Sequence, residues 1–572
     1  MTRMNRQRRH KGKALKRTFG LFFTAIILCI LAIVWWGNPL HEKLNWGIAR
    51  PVFVEGQLTD YSAVGEGDTL SLPLEVIQQY VDSAVWHEES TDSVVLSTRQ
   101  KVMRLILSEN EAELNGSAYA LTTEVAEKDG VLYVPFQAIA EIYGATVHED
   151  ASTGAVLLMR AGEQVDTGNV STRSGKSDST SPLRSEPSKY APIVADMPQG
   201  TALKLWSEAE GWYYAQMDNG TTGYVQANDI NPGTGLSVAP LEEALSLSEQ
   251  HWEDKPVNLA WEAVYSRNPR TAEIGPMPGV NVVSPTWFEI ATPEGKVNSK
   301  ANMDYVRWAH NRGMEVWGLL SNSFEPDLTT EALSTYERRK YIIQQTIDLA
   351  KSYDLDGINI DFENVYTKDG PYVTQFMREL KPLARANDLI LSIDVTPKSN
   401  SEMWSVFLDR KSLGEVTDYM MLMAYDEHWA ASPKSGSVAS LPWTESSIRR
   451  IIDEDSVPPK KLVLGIPLYT RVWSEEEIKG ETKVSSKAIG MSTAASILSE
   501  FKLDKEYLDD IGQNYVEYKE DGTVKKIWLE DEVSLQARVE QAKSFELGGI
   551  GVWNRNFAND TAWKVLSKFN TQ

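Results

Sequence analysis

The stretch DGINIDFE, Asp356 to Glu363, sets Asn359, Asp361 and Glu363 at alternate positions. Alternate side chains of a strand share a face, so an amide and two carboxyls line one side while Ile358, Ile360 and Phe362 take the other. The flanks, YDL before and NVY after, point to a short buried strand. A strand of a covered parallel sheet is ordinarily apolar on both faces. Buried carboxyls whose neighbours raise their pKa can hold a proton near neutral pH and deliver it to a bound molecule. A buried polar network or ion pair is the structural alternative, but it gives no reason for the row to end in an acid.

Such a row needs a frame that opens at its end. From about residue 240 the chain alternates strand and helix patterns, as a parallel α/β fold does. Candidate strands are residues 257–265, 280–285, 315–320, 355–363, 389–395, 419–425, 461–468 and 548–553. Amphipathic segments such as TYERRKYIIQQTIDLAKSY lie between most of them. Eight units predict a (β/α)8 TIM barrel over residues 240–572, with an α+β insertion at about 474–526 after the seventh strand. Active sites of such barrels gather at the C-terminal ends of the strands. Asn359, Asp361 and Glu363 then climb the interior, with Glu363 at the rim.

DGINIDFE resembles the Asp-Gly-x-x-x-Asp-x-Glu signature of glycoside hydrolase family 18, the chitinase-like family. The likeness covers roughly residues 250–572. MAYD (Met423 to Asp426) looks like the family's Met-x-Tyr-Asp at the end of strand six, and GIGVW ends on Trp553, where the family stacks a sugar. NVVSPTWF and YDEHW look most like the membrane- and spore-associated branch that trims peptidoglycan. The resemblance implies substrate-assisted, retaining cleavage of β-1,4 bonds next to N-acetylglucosamine, with no metal and no cofactor. Asp361 and Glu363 share one face of one strand and cannot flank a sugar as the two carboxyls of ordinary glycosidases do. Glu363 is then the general acid, and the sugar's own 2-acetamido oxygen is the nucleophile. Asp361 holds the acetamido N–H, and Tyr425 donates its hydroxyl to the acetamido oxygen. Trp553 floors the subsite, while Asp356, Asn359, Met423, Asp426 and Trp287 are candidate substrate contacts. Asn359 departs from the family's more usual Asp; its amide is expected to donate to Asp361. Asp394 and Asp426 are the carboxyls next in line should the acetamido route fail.

The N-terminal half reads as smaller modules. Residues 72–96 and 134–158 repeat at an offset of 62, each a strand, a Pro-started helix, a strand, a turn and a strand. This resembles the copper-amine-oxidase N-terminal-like repeat domain (residues 51–160). His87 and His148 stand beside acids in solvent-like positions, so a spacer or wall-contact role without metal is expected. Residues 161–182, rich in Ser, Thr and Gly, read as a flexible linker. Residues 183–235 resemble a bacterial SH3-like β-barrel, through Leu183-Arg184-Ser185, Gly211-Trp212-Tyr213 and Gly223-Tyr224-Val225. That likeness implies a cell-wall peptide as partner; Trp206, Trp212 and Tyr213 could equally fill its core.

Charge is divided unevenly. Residues 1–20 carry eight Lys and Arg and no acid, and the remaining residues hold 49 basic against 80 acidic ones. So acidic a body is a poor match for nucleic acid. Phe19 to Trp36 is an uncharged run of 18 residues, about 27 Å as a helix and close to the span of a bilayer core. With the basic tail (residues 1–18) before it, this predicts an uncleaved signal anchor with a cytoplasmic N-terminus and extracytoplasmic domains. Cys29 is the only cysteine, so the exported part has no disulfide. The expected substrate is a polysaccharide, peptidoglycan first and chitin second. The rival readings are a wall-binding lectin and a scaffold carried by the accessory modules.

Overall fold

The structure, a computed structural model of the chain, describes residues 24, 26, 40–42, 46–171, 179–241, 245–478 and 481–570. The expected anchor, Phe19–Trp36, lies outside the described residues apart from Thr24 and Ile26. Among the described residues no helix is long and apolar enough to cross a membrane. The chain divides into two compact units, and the cuts do not follow the modules read from sequence. One unit comprises Met1–Val85, Leu107–Ala112 and Tyr119–Glu242; the other comprises Trp86–Ile106, Glu113–Ala118 and Glu243–Gln572.

In the first unit the two repeats meet through equivalent strands. Val131–Pro135 runs antiparallel to Ser71–Pro73 with Val134 opposite Leu72, the pair related by the repeat offset. Pro73 and Pro135 each lead directly into a short helix, Leu74–Tyr80 and Phe136–Tyr143. A neighbouring sheet encloses a small core of Val170, Leu183, Met197, Leu203, Leu205, Ala215, Val225 and Ile230. Its strand Gln164–Val170 corrects the expected linker: Asp166 to Asn169 pair with Ala202 to Leu205. Polar composition concealed the strand: Gly168 and Val170 are buried on one face, and Val165 is buried on the other with Met159 and Val238.

The second unit holds the expected barrel. Eight parallel strands close on themselves. They are β1 (Val257–Glu262), β2 (Val282–Pro285), β3 (Glu315–Ser321), β4 (Gly357–Asp361), β5 (Ile390–Val395), β6 (Tyr419–Leu422), β7 (Leu462–Pro467) and β8 (Gly549–Trp553). Leu259, Trp261, Trp317, Leu319, Met421 and Val463 fill the interior. Ile358, Ile360 and Phe362 pack outward against the helical layer, as the alternation requires. The insertion is wider than expected: its first strand, Tyr469–Ile478, begins directly after β7, and its last ends at Trp528.

The hairpin Trp86–Glu88 and Ser93–Ser97, read as part of the repeat domain, belongs to this second unit. Buried charges join it to the helices outside β3 and β4. Arg339, of helix Tyr336–Ser352, donates to Glu88 at 2.9 Å and to both oxygens of Glu379 at 2.8 and 2.9 Å. Glu88 also accepts from the Tyr336 N–H at 2.9 Å. Burial alone would raise Glu88, but the Arg339 guanidinium and these hydrogen bonds outweigh it and hold its carboxyl below the ordinary value.

Candidate active site

At the C-terminal mouth, Asp361 ends β4 and Glu363 follows two residues on. The main chain at Glu363 is held by a residue the sequence reading missed. Asn322, fully buried just past β3, accepts from the Glu363 N–H at 3.1 Å and donates to the Glu363 carbonyl at 2.8 Å. Its amide also donates to Thr329 at 2.8 Å. An amide that both accepts and donates can pin a loop peptide as a β ladder would, so the acid's Cα is fixed while its side chain stays half-buried at the rim.

Below it, Asn359 is held on both sides of its amide. Its oxygen accepts from Trp261 Nε1 at 2.9 Å and from Ser284 Oγ at 3.1 Å, and its nitrogen donates to Asp394 at 2.8 Å. The expected donation to Asp361 is therefore corrected: β5 offers a carboxylate oxygen within reach, and the amide turns to it. Asp361 Oδ1 is buried without a hydrogen-bond partner among the described residues.

The electrostatics are uniform in sign. Burial, then the charge of Asp394, pushes Asp361 well above the ordinary carboxylate range. Burial, then Asp361 and Asp426, does the same to Glu363. Tyr425 is raised well above the usual phenol value by burial, then by Asp394, Tyr469, Glu363 and Asp361, so its hydroxyl keeps its proton and can donate. Asp426, in left-handed backbone at φ 62°, accepts from Tyr469 at 2.7 Å and Arg471 at 2.9 Å. Both donors come from the first strand of the insertion, which sequence reasoning started too late to include.

Trp553 sits half-buried at the end of β8, with its ring 6.3 Å from that of Trp261. Met423 is buried just past β6. Two expected contacts are corrected. Trp287 is 1% exposed, its N–H bound to Asn268 at 2.7 Å and its ring packed on Tyr305, so it belongs to the core. Asp356 precedes β4 at the opposite end of the barrel. It accepts from His310 and from the Val316 N–H, both at 2.8 Å, which ties two elements together about 20 Å of strand away from Glu363. A further pair went unread: Glu262, buried at the end of β1, holds Arg555 beyond β8. The only signal was the acid closing NLAWE, as one closes INIDFE. Among the described residues no group of three His, Cys, Asp or Glu side chains is placed to hold a metal ion.

Three family models match the chain: glycosyl hydrolases family 18 over residues 309–558, copper amine oxidase N-terminal domain over 53–158, and bacterial SH3 domain over 179–231. The uncharacterized glycosylase YvbX of Bacillus subtilis is 26% identical over 288 residues, covering 48% of this chain and 80% of that protein. The cortical fragment-lytic enzyme of Bacillus anthracis is 25% identical over 255 residues, 43% of this chain and 57% of the enzyme, so the match spans little more than half of that relative. Among solved structures, the spore cortex-lytic enzyme SleL of Bacillus megaterium shares the fold with a TM-score of 0.50 at 19% identity, over 60% of this chain and 78% of that one.

Proposed function

Residues 309–558 form a glycosyl hydrolases family 18 domain, and from that premise we propose that the protein cleaves β-1,4 bonds of an N-acetylglucosamine-containing polymer, peptidoglycan foremost, by substrate-assisted retaining catalysis. The observation that carries this reading is the meeting of Asp361, Glu363 and Tyr425 at one mouth, each raised toward its protonated form. Glu363 protonates the glycosidic oxygen as the bond to the anomeric carbon breaks. The acetamido oxygen closes on that carbon, forming an oxazolinium ion. Asp361 accepts the acetamido N–H and stabilises the positive charge, while Tyr425 steers the acetamido oxygen. Trp553 stacks under the sugar, and Asp426, fixed by Tyr469 and Arg471, lines the cleft. Water then opens the ring with Glu363 as base, which retains the configuration.

Peptidoglycan is preferred to chitin because the matched relative from Bacillus anthracis is a cortical fragment-lytic enzyme and because the basic tail and the apolar run Phe19–Trp36 suit a membrane tether. The SH3-like module is assigned a wall peptide. Mass spectrometry of digests of purified peptidoglycan and of chitin oligomers tests the substrate: new reducing ends on N-acetylglucosamine from peptidoglycan are expected. Cleavage of chitin oligomers alone overturns that choice. Membrane fractionation tests the tether, and a shortened soluble form as the main species would overturn it.

A further inference from the structure

We propose that Asp394, contributed by β5, shares a single proton with Asp361 and is the positioning residue that keeps Asp361 aimed at the acetamido group; this rests on the role given to Asp361 above. In the register of β4 and β5, Asn359 lies opposite Ser392 and Ile360 opposite Ile393. The next step sets Asp361 beside Asp394, on strands about 4.8 Å apart. Both carboxyls are buried, at 6% and 3% exposure. The orientation of the Asn359 amide is fixed by chemistry, because the indole N–H of Trp261 can only donate and so must meet the amide oxygen. Its nitrogen therefore faces Asp394 Oδ1, leaving Oδ2 to carry a proton.

The groups facing Asp394 are Asp361 and the Asn359 amide from β4, Glu363 just beyond β4 and the Tyr425 hydroxyl from beyond β6. No cation pairs with either aspartate among the described residues. Two carboxyls in such a site cannot both ionise, and they hold one proton between them. The carboxyl pair is thus built across two strands, with Asn359 as its brace. The Asn359 N–H favours the charge on Asp394, so in the free protein Asp361 holds the shared proton. When substrate binds, that proton passes to Asp394 Oδ2, and Asp361, then carrying the charge, accepts the acetamido N–H. The proton delivered to the leaving oxygen is that of Glu363.

Infrared titration of the full-length protein tests the pair directly. In a Glu363→Gln background, which removes the general acid's own proton, a protonated-carboxyl band that is lost on further replacing Asp361 by Asn should persist above the ordinary carboxylate range. Adding Asp394→Asn should lower its midpoint by about one unit or more, as expected when a like charge leaves a shared site. An absent band, or a midpoint unmoved by Asp394→Asn, overturns the proposal. The readout needs no turnover, so it stands apart from any failure of the glycan assignment. In the protein with Glu363 intact, the amide of Asp394→Asn can donate as the acid hydroxyl does, and kcat should stay within about tenfold. Asp394→Ala should lose about 10²-fold in kcat with KM little changed. Equal losses in the two variants would overturn the neutral-donor role.

Discussion

Replacing Asn322 by Ala should damage stability and turnover together, although Asn322 touches no substrate in the proposed mechanism. The substitution strips partners from the Glu363 N–H and the Glu363 carbonyl, bound at 3.1 and 2.8 Å. Each buried backbone group left unpaired costs about 1–3 kcal/mol. Water entering the vacated space takes back part of that, leaving a loss of about 2–4 kcal/mol. At roughly 2 °C per kcal/mol for a large domain, Tm should fall by about 4–8 °C. The loop carrying Glu363 also loses its anchor. A displacement of about 1 Å at a reacting group costs about 10²-fold in rate, so kcat should fall by one to two orders of magnitude. Differential scanning calorimetry and release of reducing ends from an N-acetylglucosamine oligomer read the two effects. An Asn322→Ala protein with wild-type Tm and wild-type kcat would show that the clamp does not position the acid.

Three further outcomes follow from the same geometry. Asn359→Asp removes the donor to Asp394 and adds a like charge beside the pair, so the acid limb of the pH–rate profile should move upward; superimposable profiles on one substrate would count against the coupling. Polymers with a free 2-amino group at the cleaved subsite should not be hydrolysed, and equal rates on acetylated and deacetylated chains would require a protein nucleophile instead. Glu88→Ala should cost about 3 kcal/mol, near the low end for breaking a buried pair, because Glu379 still holds Arg339 through two bonds. Since the folded pKa of Glu88 is depressed, its contribution is present above the ordinary carboxylate pKa and fades as pH falls through the folded value. Urea titrations of wild type and Glu88→Ala should therefore converge in acid, and a constant gap down to low pH would contradict the linkage.

What was legible in the sequence was whatever a local period encodes. Alternation placed Asn359, Asp361 and Glu363 inside and Ile358, Ile360 and Phe362 outside, and eight strand signals gave the barrel. Partners chosen across strands were not legible. Asn359 turns to Asp394 because β5 brings a carboxylate oxygen to 2.8 Å from its amide nitrogen, and nothing in DGINIDFE records that. Asn322 acts across the neighbouring strands β3 and β4, while Glu262 and Arg555 meet only because β8 closes onto β1. Asp356 was read as a site residue from its motif, yet a strand that crosses the barrel puts its two ends on opposite faces. Trp287 was misjudged because an indole packs in a core as well as against a sugar. Gln164–Val170 was hidden by composition, since a strand on a small barrel needs few apolar side chains.

The most direct test is hydrolysis by wild type and Glu363→Gln, compared as full-length proteins on peptidoglycan and on an N-acetylglucosamine oligomer. The substitution keeps the size of the side chain and removes the only proton the mechanism delivers. Turnover should fall by about 10²–10⁴-fold, with the circular dichroism spectrum unchanged. A folded Glu363→Gln protein that still releases reducing ends at the wild-type rate would contradict the assignment of Glu363 as the general acid.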